Sequence, residues 1–378
     1  MYTFAIVLAT ICVKSQTVTT YLNSNAAHVD DAMALDSQGN LYGSTFYGGE
    51  VFKITPDGTI SSFVSGLAWA NGLAVDSEDN IYVAEYLNAS INKYDHDGNL
   101  IEKMSIGSGY PSGLIKAFDS DNMIYTDVGN NSINELAQDG TVTTLYQGNP
   151  LNIPVGLAYG PAGDLYIGNY IGREIYRLPR NSSSLEYVAT VPAPNNHVPY
   201  LAFIAYAQGF LYGTVYGEHK IYQIDPRNID DVEIYSGSVY GNDDGNISEA
   251  TYAYPAGIIS NRSGNTLYVS EFTSNGNIRK ITNGNGRNAV NNDTMFTLQV
   301  YPNPASEILY IQPTSNKKEA DVYFIKLYDI NTGRIVLEES ASLLNKKLGL
   351  RVSTLKKGIY ELVISNNNIS ESQTIVIH

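Results

Sequence analysis

The residue types that could bind a metal or a polar ligand recur at one place in a repeated sequence unit. The unit reads P-x-G-L-A or a variant of it. The residues before the glycine position are, in order, Asp31, Asn71, Ser112, Val155, Tyr200 and Ala256. Hard cations bind through several oxygen ligands, and only Asp31 and Asn71 offer a carboxylate and an amide oxygen here. A divalent cation such as calcium is the only cofactor that this set suggests, at an incomplete site.

A second polar set lies two or three residues after an apolar-Tyr pair in each unit. Its members are Thr45, Glu85, Asp127, Asn169, Thr214 and Glu271. If the units bring both sets around one opening, its surface would be acidic and rich in amides, which suits a cation or a polar ligand such as a sugar. The alternative is structural, because Asp and Asn at strand ends commonly cap turns and bind backbone amides.

Histidine and tyrosine side chains extend this candidate site. His28 precedes the first unit, and His197 follows two asparagines in a loop, where it is either a base or a solvated surface residue. Three tyrosines near the loops, which are amphipathic enough to stack on a sugar, are Tyr47, Tyr86 and Tyr170.

An internal repeat positions these residues. The apolar-Tyr pair begins at residues 41, 81, 124, 165, 211 and 267, so its six copies are separated by 40, 43, 41, 46 and 56 residues. Each copy contains four short segments of alternating hydrophobicity separated by Gly, Asn or Asp, which predicts a four-stranded antiparallel meander. Such a unit is typical of a β-propeller blade. The sequence therefore predicts an all-β chain with a six-bladed β-propeller over residues 17–282, whose inner strands begin around the central channel.

The two ends of the repeat array are complementary. The sixth unit stops after Ile281 without an outer strand, and residues 17–22 match the outer strand of the first unit, residues 59–64. We expect the N-terminal strand to complete the sixth blade, which would close the ring and remove its open edges.

The repeats resemble the NHL family, most clearly in Gly241-Asn242-Asp243-Asp244-Gly245, Pro255-Ala256-Gly257-Ile258 and Ile278-Arg279-Lys280-Ile281. The resemblance implies the propeller fold and leaves scaffold, binding and enzymatic roles open. The chain is also similar to the SMP-30/gluconolactonase family, which implies a metal held by oxygens from several inner-strand positions. Because Val155, Tyr200 and Ala256 supply no such ligand, this similarity is one of fold.

The C-terminal residues carry a different pattern. After a polar stretch at 283–294, which reads as a linker, residues 295–378 resemble the type A sorting domain of type IX secretion cargo. The motifs are Tyr301-Pro302-Asn303-Pro304, Lys357-Gly358-Ile359-Tyr360 and the apolar end Ile375-Val376-Ile377. Membership implies a small β-sandwich that the type IX machinery reads and removes, without a catalytic role; an unrelated β-sandwich is the alternative.

An N-terminal leader is consistent with export. Residues 4–13 are apolar but too few to span a bilayer, so we expect a signal peptide over residues 1–16, with a buried strand as the alternative. Its n-region lacks Lys and Arg, so the start codon could lie upstream. Cys12 is the only cysteine, and a lipoprotein reading is disfavoured because Ile11 stands where a small residue is required. The mature protein would have no disulfide.

The net charge limits the classes of partner that the protein could bind. The net charge is −15, without a Lys/Arg cluster, which argues against nucleic acid as a partner. We expect a secreted or cell-surface monomer that binds an extracellular glycan or protein. The alternative is a metal-dependent hydrolase of the SMP-30/gluconolactonase type or a related lyase, with Asp31 and Asn71 in the channel.

Overall fold

The computed structural model describes residues 16–23, 27–192, 200–282, 298–313, 322–329, 334–342, 347–365 and 370–378. The elements in these ranges are β-strands, apart from one 3-10 turn at Tyr216–Glu218. Within the same ranges no helix is long and apolar enough to cross a membrane. The prediction of an all-β chain is confirmed. The candidate His197, the linker 283–294 and residues 1–15 of the expected signal peptide lie outside the described residues.

After β1 (Thr17–Leu22), five four-stranded antiparallel sheets follow in sequence order. The first comprises β2 (Met33–Leu35), β3 (Leu41–Thr45), β4 (Glu50–Ile54) and β5 (Ile60–Val64). The second comprises β6 (Ala70–Val75), β7 (Ile81–Glu85), β8 (Ser90–Tyr94) and β9 (Leu100–Ser105). The third comprises β10 (Pro111–Lys116), β11 (Met123–Asp127), β12 (Ser132–Leu136) and β13 (Val142–Gln147). The fourth comprises β14 (Pro154–Tyr159), β15 (Leu165–Asn169), β16 (Glu174–Leu178) and β17 (Glu186–Thr190). The fifth comprises β18 (Leu201–Ala207), β19 (Phe210–Val215), β20 (Lys220–Ile224) and β21 (Val232–Ser236).

The sixth sheet joins the two ends of the repeat array. It contains β22 (Gly245–Asn246), β23 (Pro255–Ser260), β24 (Thr266–Glu271) and β25 (Ile278–Thr282), together with β1. β1 lies between β22 and β25, and Thr17 is opposite Thr282. The N-terminal strand is therefore paired with β25 along its length on one side and with β22 at Thr17 and Val18 on the other, which shortens its open edge.

The innermost strands pack around a central axis. β2, β6, β10, β14, β18 and β23 each contact the next, and β23 contacts β2. The glycine of the repeat permits this close approach. A Cβ on Gly113 would lie 1.9 Å from the Val155 carbonyl oxygen, and a Cβ on Gly257 would lie 2.1 Å from that of Asp31. The prediction of a β-propeller is confirmed; the described residues up to 282 contain six antiparallel sheets.

Hydroxyl groups on the second strands hold neighbouring sheets together. Ser44 Oγ donates to the Asn71 carbonyl (3.1 Å), and Ser270 Oγ donates to the Asp31 carbonyl (2.6 Å). Apolar side chains fill the space between sheets, so that Tyr42 of the first sheet and Val83 of the second belong to one buried cluster. These contacts hold the backbone of the inner strands in place, and with it the side chains at the channel.

The C-terminal residues form a small β-sandwich, as predicted. One sheet contains β26 (Leu298–Tyr301), β27 (Ile308–Pro313) and β30 (Leu348–Arg351). The other contains β28 (Val322–Asp329), β29 (Ile335–Ser342), β31 (Gly358–Ser365) and β32 (Ser370–Ile377), in the order β29-β28-β31-β32. Leu309 and Leu350 from the first sheet are buried with Leu327 and Leu362 from the second, which makes an apolar core.

Candidate functional site

Asp31 and Asn71 lie at the start of neighbouring inner strands. They are only 8% and 6% exposed. Ser44 Oγ donates to both the Ala32 and Asn71 carbonyls, which links the two positions, and Asn71 Nδ2 donates to Ser112 Oγ at 3.1 Å. Asp31 Oδ2 and Asn71 Oδ1 have no hydrogen-bond partner within the described residues. A buried acceptor without a partner costs about 1–3 kcal/mol, and both oxygens are shielded from solvent in this structure.

The Asp31 carboxyl has an unusual protonation equilibrium. Burial raises its pKa well above the usual range, and the neighbouring charge of Asp30 raises this pKa further. Burial also raises the pKa of Asp30, but the Phe46 N–H (2.9 Å) and His28 Nε2 (3.2 Å) oppose that effect. His28 Nε2 is also 2.7 Å from the Thr273 carbonyl. Asp31 therefore keeps its proton at pH values where an ordinary aspartate is ionised.

The second polar set braces the loops that precede the inner strands. Ala68 N–H donates to Glu85 (2.9 Å), Tyr110 N–H to Asp127 (3.0 Å), Asn152 N–H to Asn169 (3.0 Å) and Ala253 N–H to Glu271 (2.9 Å). The remaining carboxylate oxygens of this set accept from neighbouring amides, such as Asn130 Nδ2 on Asp127 and Asn277 Nδ2 on Glu271. This is the turn-capping geometry of the structural alternative. Glu85, Asp127, Asn169 and Glu271 are not drawn into one cluster with Asp31.

Two of these side chains carry perturbed pKa values. Burial acts to raise the pKa of Glu85, but hydrogen bonds from Ala68, Asn92, Lys103 and Asn88 outweigh burial and lower it. Burial raises the pKa of Glu271 despite its hydrogen bonds and the nearby Arg279. The different outcomes follow first from the deeper burial of Glu271 and then from the larger number of donors around Glu85.

The strand register of the fifth sheet corrects two expected positions. Leu201 lies opposite Val215, just as Pro111 lies opposite Asp127 in the third sheet. Ala202 therefore occupies the position expected for Tyr200, and Val215 occupies the one expected for Thr214. In the fifth unit Leu201 and Phe203 occupy the positions of the repeat's Pro and Gly, and Pro199 comes two residues earlier, so the sequence indicated a different register. Thr214 instead donates to the Ala256 carbonyl of the sixth sheet at 2.5 Å.

Aromatic side chains surround the start of the inner strands. We call them the aromatic belt: Phe46, Tyr47, Trp69, Tyr86, Tyr110, Tyr170, Tyr200, Tyr216, Tyr254 and Phe272. Most occupy one of two repeated places, either directly after the second strand or directly before the inner strand. The backbone joins the two places, because Tyr86 N–H donates to the Trp69 carbonyl and Phe272 N–H to the Tyr254 carbonyl, at 3.0 and 2.8 Å. The repeated sequence unit thus places most of the aromatic residues of the belt.

The belt has two continuous stretches of ring contacts on either side of Tyr47. On one side, Trp69 is 5.1 Å from Tyr47 and stacks on Tyr86 at 5.9 Å, which in turn stacks on Tyr110 at 4.9 Å. On the other side, Phe272 lies 6.0 Å from Tyr47. From Phe272 the contacts continue through Tyr216 to Tyr254, at 5.7 and 4.8 Å. Ring contacts of this kind stabilise each side chain in place.

Tyr170 interacts with tyrosines of other sheets. Tyr170 stacks on Tyr200 at 4.3 Å. Its pKa is raised by burial first, and then by the charges of Tyr200, Tyr216, Asp31 and Tyr47. Tyr170 therefore lies near side chains of the first and fifth sheets.

Sequence reasoning found only Tyr47, Tyr86 and Tyr170 among these aromatic residues. The others carried a readable signal, since Trp69, Tyr110 and Tyr254 stand directly before an inner strand in three different units. The exposure of the three expected tyrosines also differs from expectation. Tyr47 is 64% exposed, whereas Tyr86 and Tyr170 are half-buried in the belt.

The described side chains do not by themselves fit a calcium site. No group of three or more His, Cys, Asp or Glu residues that could hold a metal occurs in the described part of the chain. Asp31 and Asn71 offer two free oxygens, whereas calcium takes about six to eight. We derive no chemistry through a metal here.

The sorting motif fastens the start of the β-sandwich to its last strand. Asn303 Oδ1 accepts the Val376 N–H at 2.9 Å, and Ala305 N–H donates to the Val376 carbonyl at 2.8 Å. Pro302 and Pro304 flank Asn303 in the same segment. Tyr301, Gly358 and Tyr360 take up strand positions: Tyr301 lies opposite Tyr310, and Gly358 lies opposite Ile377. Tyr360 donates its hydroxyl to the Lys356 carbonyl at 2.6 Å.

Comparisons with known proteins agree with both parts of the fold. No curated protein sequence matches the chain. A virginiamycin B lyase from Staphylococcus aureus, solved as a catalytically inactive variant with quinupristin, is 23% identical, with a TM-score of 0.51 over 67% of this chain and 80% of that one. A gluconolactonase from Xanthomonas campestris is 18% identical, with a TM-score of 0.55 over 71% and 90%. A protein of unknown function from Bacteroides thetaiotaomicron is 15% identical, with a TM-score of 0.58 over 71% and 76%.

At such identities the solved structures show the β-propeller fold alone. Residues 299–378 match the model of the secretion system C-terminal sorting domain. This domain implies an interaction with the type IX secretion system. The chain is thus a β-propeller protein whose C-terminal part belongs to the secretion-system sorting domains, and it is secreted or attached to the outer cell surface.

Proposed function

We propose that the propeller is an extracellular glycan-binding module and that its ligand enters the channel mouth lined by the aromatic belt. The observation that carries this proposal is the belt itself, in which aromatic rings from neighbouring sheets contact one another near the start of the inner strands. Rigid aromatic walls with a few polar groups at the base are typical of small-molecule sites. A sugar matches this arrangement, because its apolar faces stack on rings and its hydroxyls donate hydrogen bonds.

Exposure within the belt identifies the first contact. Tyr47 is the most exposed of its tyrosines, and its ring touches Phe46, Trp69 and Phe272. A ligand that approaches the belt would therefore meet Tyr47 first. The rim position makes Tyr47 the residue to change, since its removal disturbs the propeller core least.

Fluorescence of the single tryptophan, Trp69, gives a direct binding assay on the full chain. We expect soluble oligosaccharides to change its emission, and Tyr47→Ala to weaken their binding about tenfold, as truncation of an aromatic contact commonly does. Tyr187→Ala is the matched control, because Tyr187 is 39% exposed on an outer strand. If no glycan binds, or if both variants lose affinity equally, the ligand is a protein or lies elsewhere.

Asp31 supports a second candidate, a hydrolase or lyase. A carboxyl group whose pKa is raised well above its usual range by burial can act as a general acid. Turnover of lactones or polysaccharides by the full chain, lost in Asp31→Asn while oligosaccharide binding persists, would favour the enzyme. Binding without turnover would favour the binding module.

Export and processing complete the proposal. We propose that residues 1–16 are a cleaved leader, that residues 295–378 are removed after export, and that the mature propeller is a monomer. β1 begins at Thr17, directly after the proposed cleavage point, and pairs with β25. The N-terminal sequence and native mass of the secreted protein test this. An N-terminus within β1 would contradict the cleavage point.

A further inference from the structure

The connection between the fifth and sixth sheets is longer than the sheets require. Residues 65–69 connect the first sheet to the second, and residues 106–110 connect the second to the third, whereas residues 237–254 connect the fifth to the sixth. The fifth and sixth sheets are built in the same strand order as the others, so a short connection would serve the fold equally well. Long loops in compact domains commonly carry a function.

Hydrogen bonds hold this long loop in one conformation. Gly241 N–H donates to the Tyr252 carbonyl at 3.1 Å, and Asp243 N–H donates to Thr251 Oγ1 at 2.9 Å. The buried guanidinium of Arg279 donates to the Asp243 carbonyl at 2.9 Å. The loop also contributes β22, which pairs with β1. Fixing so many backbone groups costs conformational entropy, and the contacts that fix them hold the tip of the loop against the propeller.

The tip of the loop exposes an aromatic side chain at one end of the belt. Tyr240 is 62% exposed, and Val239 beside it is 61% exposed. The Tyr240 ring lies 5.6 Å from the ring of Tyr254, which belongs to the belt. It also lies 5.4 Å from the ring of His219, which is itself 4.7 Å from Tyr254. Tyr240 therefore adds an exposed ring to the belt, held in place by two ring contacts.

The belt joins Tyr240 to the exposed Tyr47 through half-buried rings. Tyr254 contacts Tyr216 at 4.8 Å, Tyr216 contacts Phe272 at 5.7 Å, and Phe272 contacts Tyr47 at 6.0 Å. The two ends of this stretch are strongly exposed, whereas its three middle members are only partly exposed. One sugar ring can stack on one aromatic ring. A ligand that contacts both exposed ends must therefore consist of several linked units.

We propose that the ligand of the belt is a glycan chain of several units, which contacts Tyr47 and Tyr240 at the same time. This inference rests on the proposed glycan-binding function and names the class of glycan. A contact at Tyr240 is linked to the contact at Tyr47 through the chain itself, and linked contacts raise the affinity well above that of either one. The loop at 237–254 thus makes the propeller select long chains over disaccharides.

Oligosaccharides of two lengths test this inference by calorimetry on the full chain. The probes are the disaccharide and the hexasaccharide of the cello-, xylo- and N-acetylchito- series. In a series that binds, we expect the hexasaccharide to bind at least about tenfold more tightly than the disaccharide. Tyr240→Ala should weaken hexasaccharide binding about tenfold and leave disaccharide binding unchanged. Tyr240→Phe, which keeps the ring, should retain the hexasaccharide affinity, as should the control Tyr187→Ala on an outer strand.

A measurement on the wild-type protein is independent of any effect of substitution on folding. Tetranitromethane nitrates exposed tyrosines, and mass spectrometry locates the modified residues. We expect the hexasaccharide to protect both Tyr47 and Tyr240 from nitration, and the disaccharide to protect Tyr47 alone. Tyr187, which is 39% exposed, should be nitrated equally with either sugar.

The outcomes separate this inference from the proposed function. Equal affinity for the two lengths, an equal effect of Tyr240→Ala on both, or protection of Tyr47 alone by the hexasaccharide would overturn the extended site and leave a glycan-binding module. Binding of no series would overturn both proposals. A length preference that Tyr240→Ala removes and Tyr240→Phe keeps would support the extended site.

Discussion

Replacing Arg279 by Met should weaken the closure of the propeller. Arg279 is fully buried in β25, the strand that pairs with β1. Its guanidinium donates to the Thr251 carbonyl (2.7 Å), the Asp243 carbonyl (2.9 Å) and Asp244 Oδ1 (2.8 Å), and lies 3.4 Å from Glu271 Oε1. Thr20 of β1 donates to the same Asp244 oxygen, at 2.9 Å. Arg279 of β25 therefore binds the loop before β23, and Asp244 of that loop also binds Thr20 of β1. The two ends of the repeat array are connected in this way.

The expected loss of stability can be estimated from the contacts of Arg279. Methionine keeps much of the volume but leaves the fully buried Glu271 carboxylate without its cation, and breaking a buried pair in this way costs about 3–5 kcal/mol. For a domain of this size that corresponds to a Tm lower by roughly 6–20 °C. Glu271→Gln in the same background removes the stranded charge and should restore part of the loss.

The pH dependence of the variant's stability provides an independent test of this prediction. Burial already raises the pKa of Glu271, and losing Arg279 raises it further. The folded variant then holds a proton that the unfolded chain releases above its ordinary glutamate pKa of about 4.5. The variant's stability therefore falls as pH rises above that value, so its deficit relative to wild type should be larger at pH 8 than at pH 4.

Trp69 fluorescence during urea unfolding measures this in the full chain, since the only tryptophan lies in the propeller. Arg262→Met, which removes a charge from a surface turn, is the control. A loss under 1 kcal/mol, no recovery with Glu271→Gln, or a deficit that does not change between pH 4 and 8 would refute the reasoning.

Three further changes test other parts of the molecule. Asp31→Asn should raise Tm more at pH 7 than at pH 4. The raised pKa of Asp31 makes the wild-type protein lose stability as pH rises above the ordinary aspartate range, and the variant lacks this loss. An equal rise in Tm at both pH values would contradict this prediction. Gly113→Ala should cost about 1–3 kcal/mol by urea unfolding, since its Cβ would meet the Val155 carbonyl; Gly172→Ala, which meets only the end of the Glu174 side chain, is the control. Asn303→Ala should cost about 1 kcal/mol and speed hydrogen exchange at the Val376 amide; unchanged exchange would show that this bond is dispensable.

Local patterns predicted the strands well because each unit is a hairpin meander whose hydrophobic period and turn residues are encoded within about 40 residues. The sorting motif was equally readable. The register of the fifth sheet was not, because Pro199 stands two residues before the inner strand and no Gly marks the repeat position. Arg279 was likewise read only as a strand residue, since its partners Thr251 and Asp243 are about 30 residues away in a loop without periodicity.

For the candidate site, sequence alone identified Asp31 and Asn71 as the polar pair on the inner strands, and it identified three tyrosines of the belt. It treated Glu85, Asp127 and Glu271 as similar candidates, because a carboxylate at a strand end has the same local pattern whether it caps a loop or faces a ligand. Only the tertiary structure showed that these three accept loop amides while Asp31 Oδ2 and Asn71 Oδ1 accept nothing. Hydrogen-bond satisfaction and the convergence of aromatic rings from different sheets are properties of three-dimensional contacts, and sequence periodicity carries no record of them.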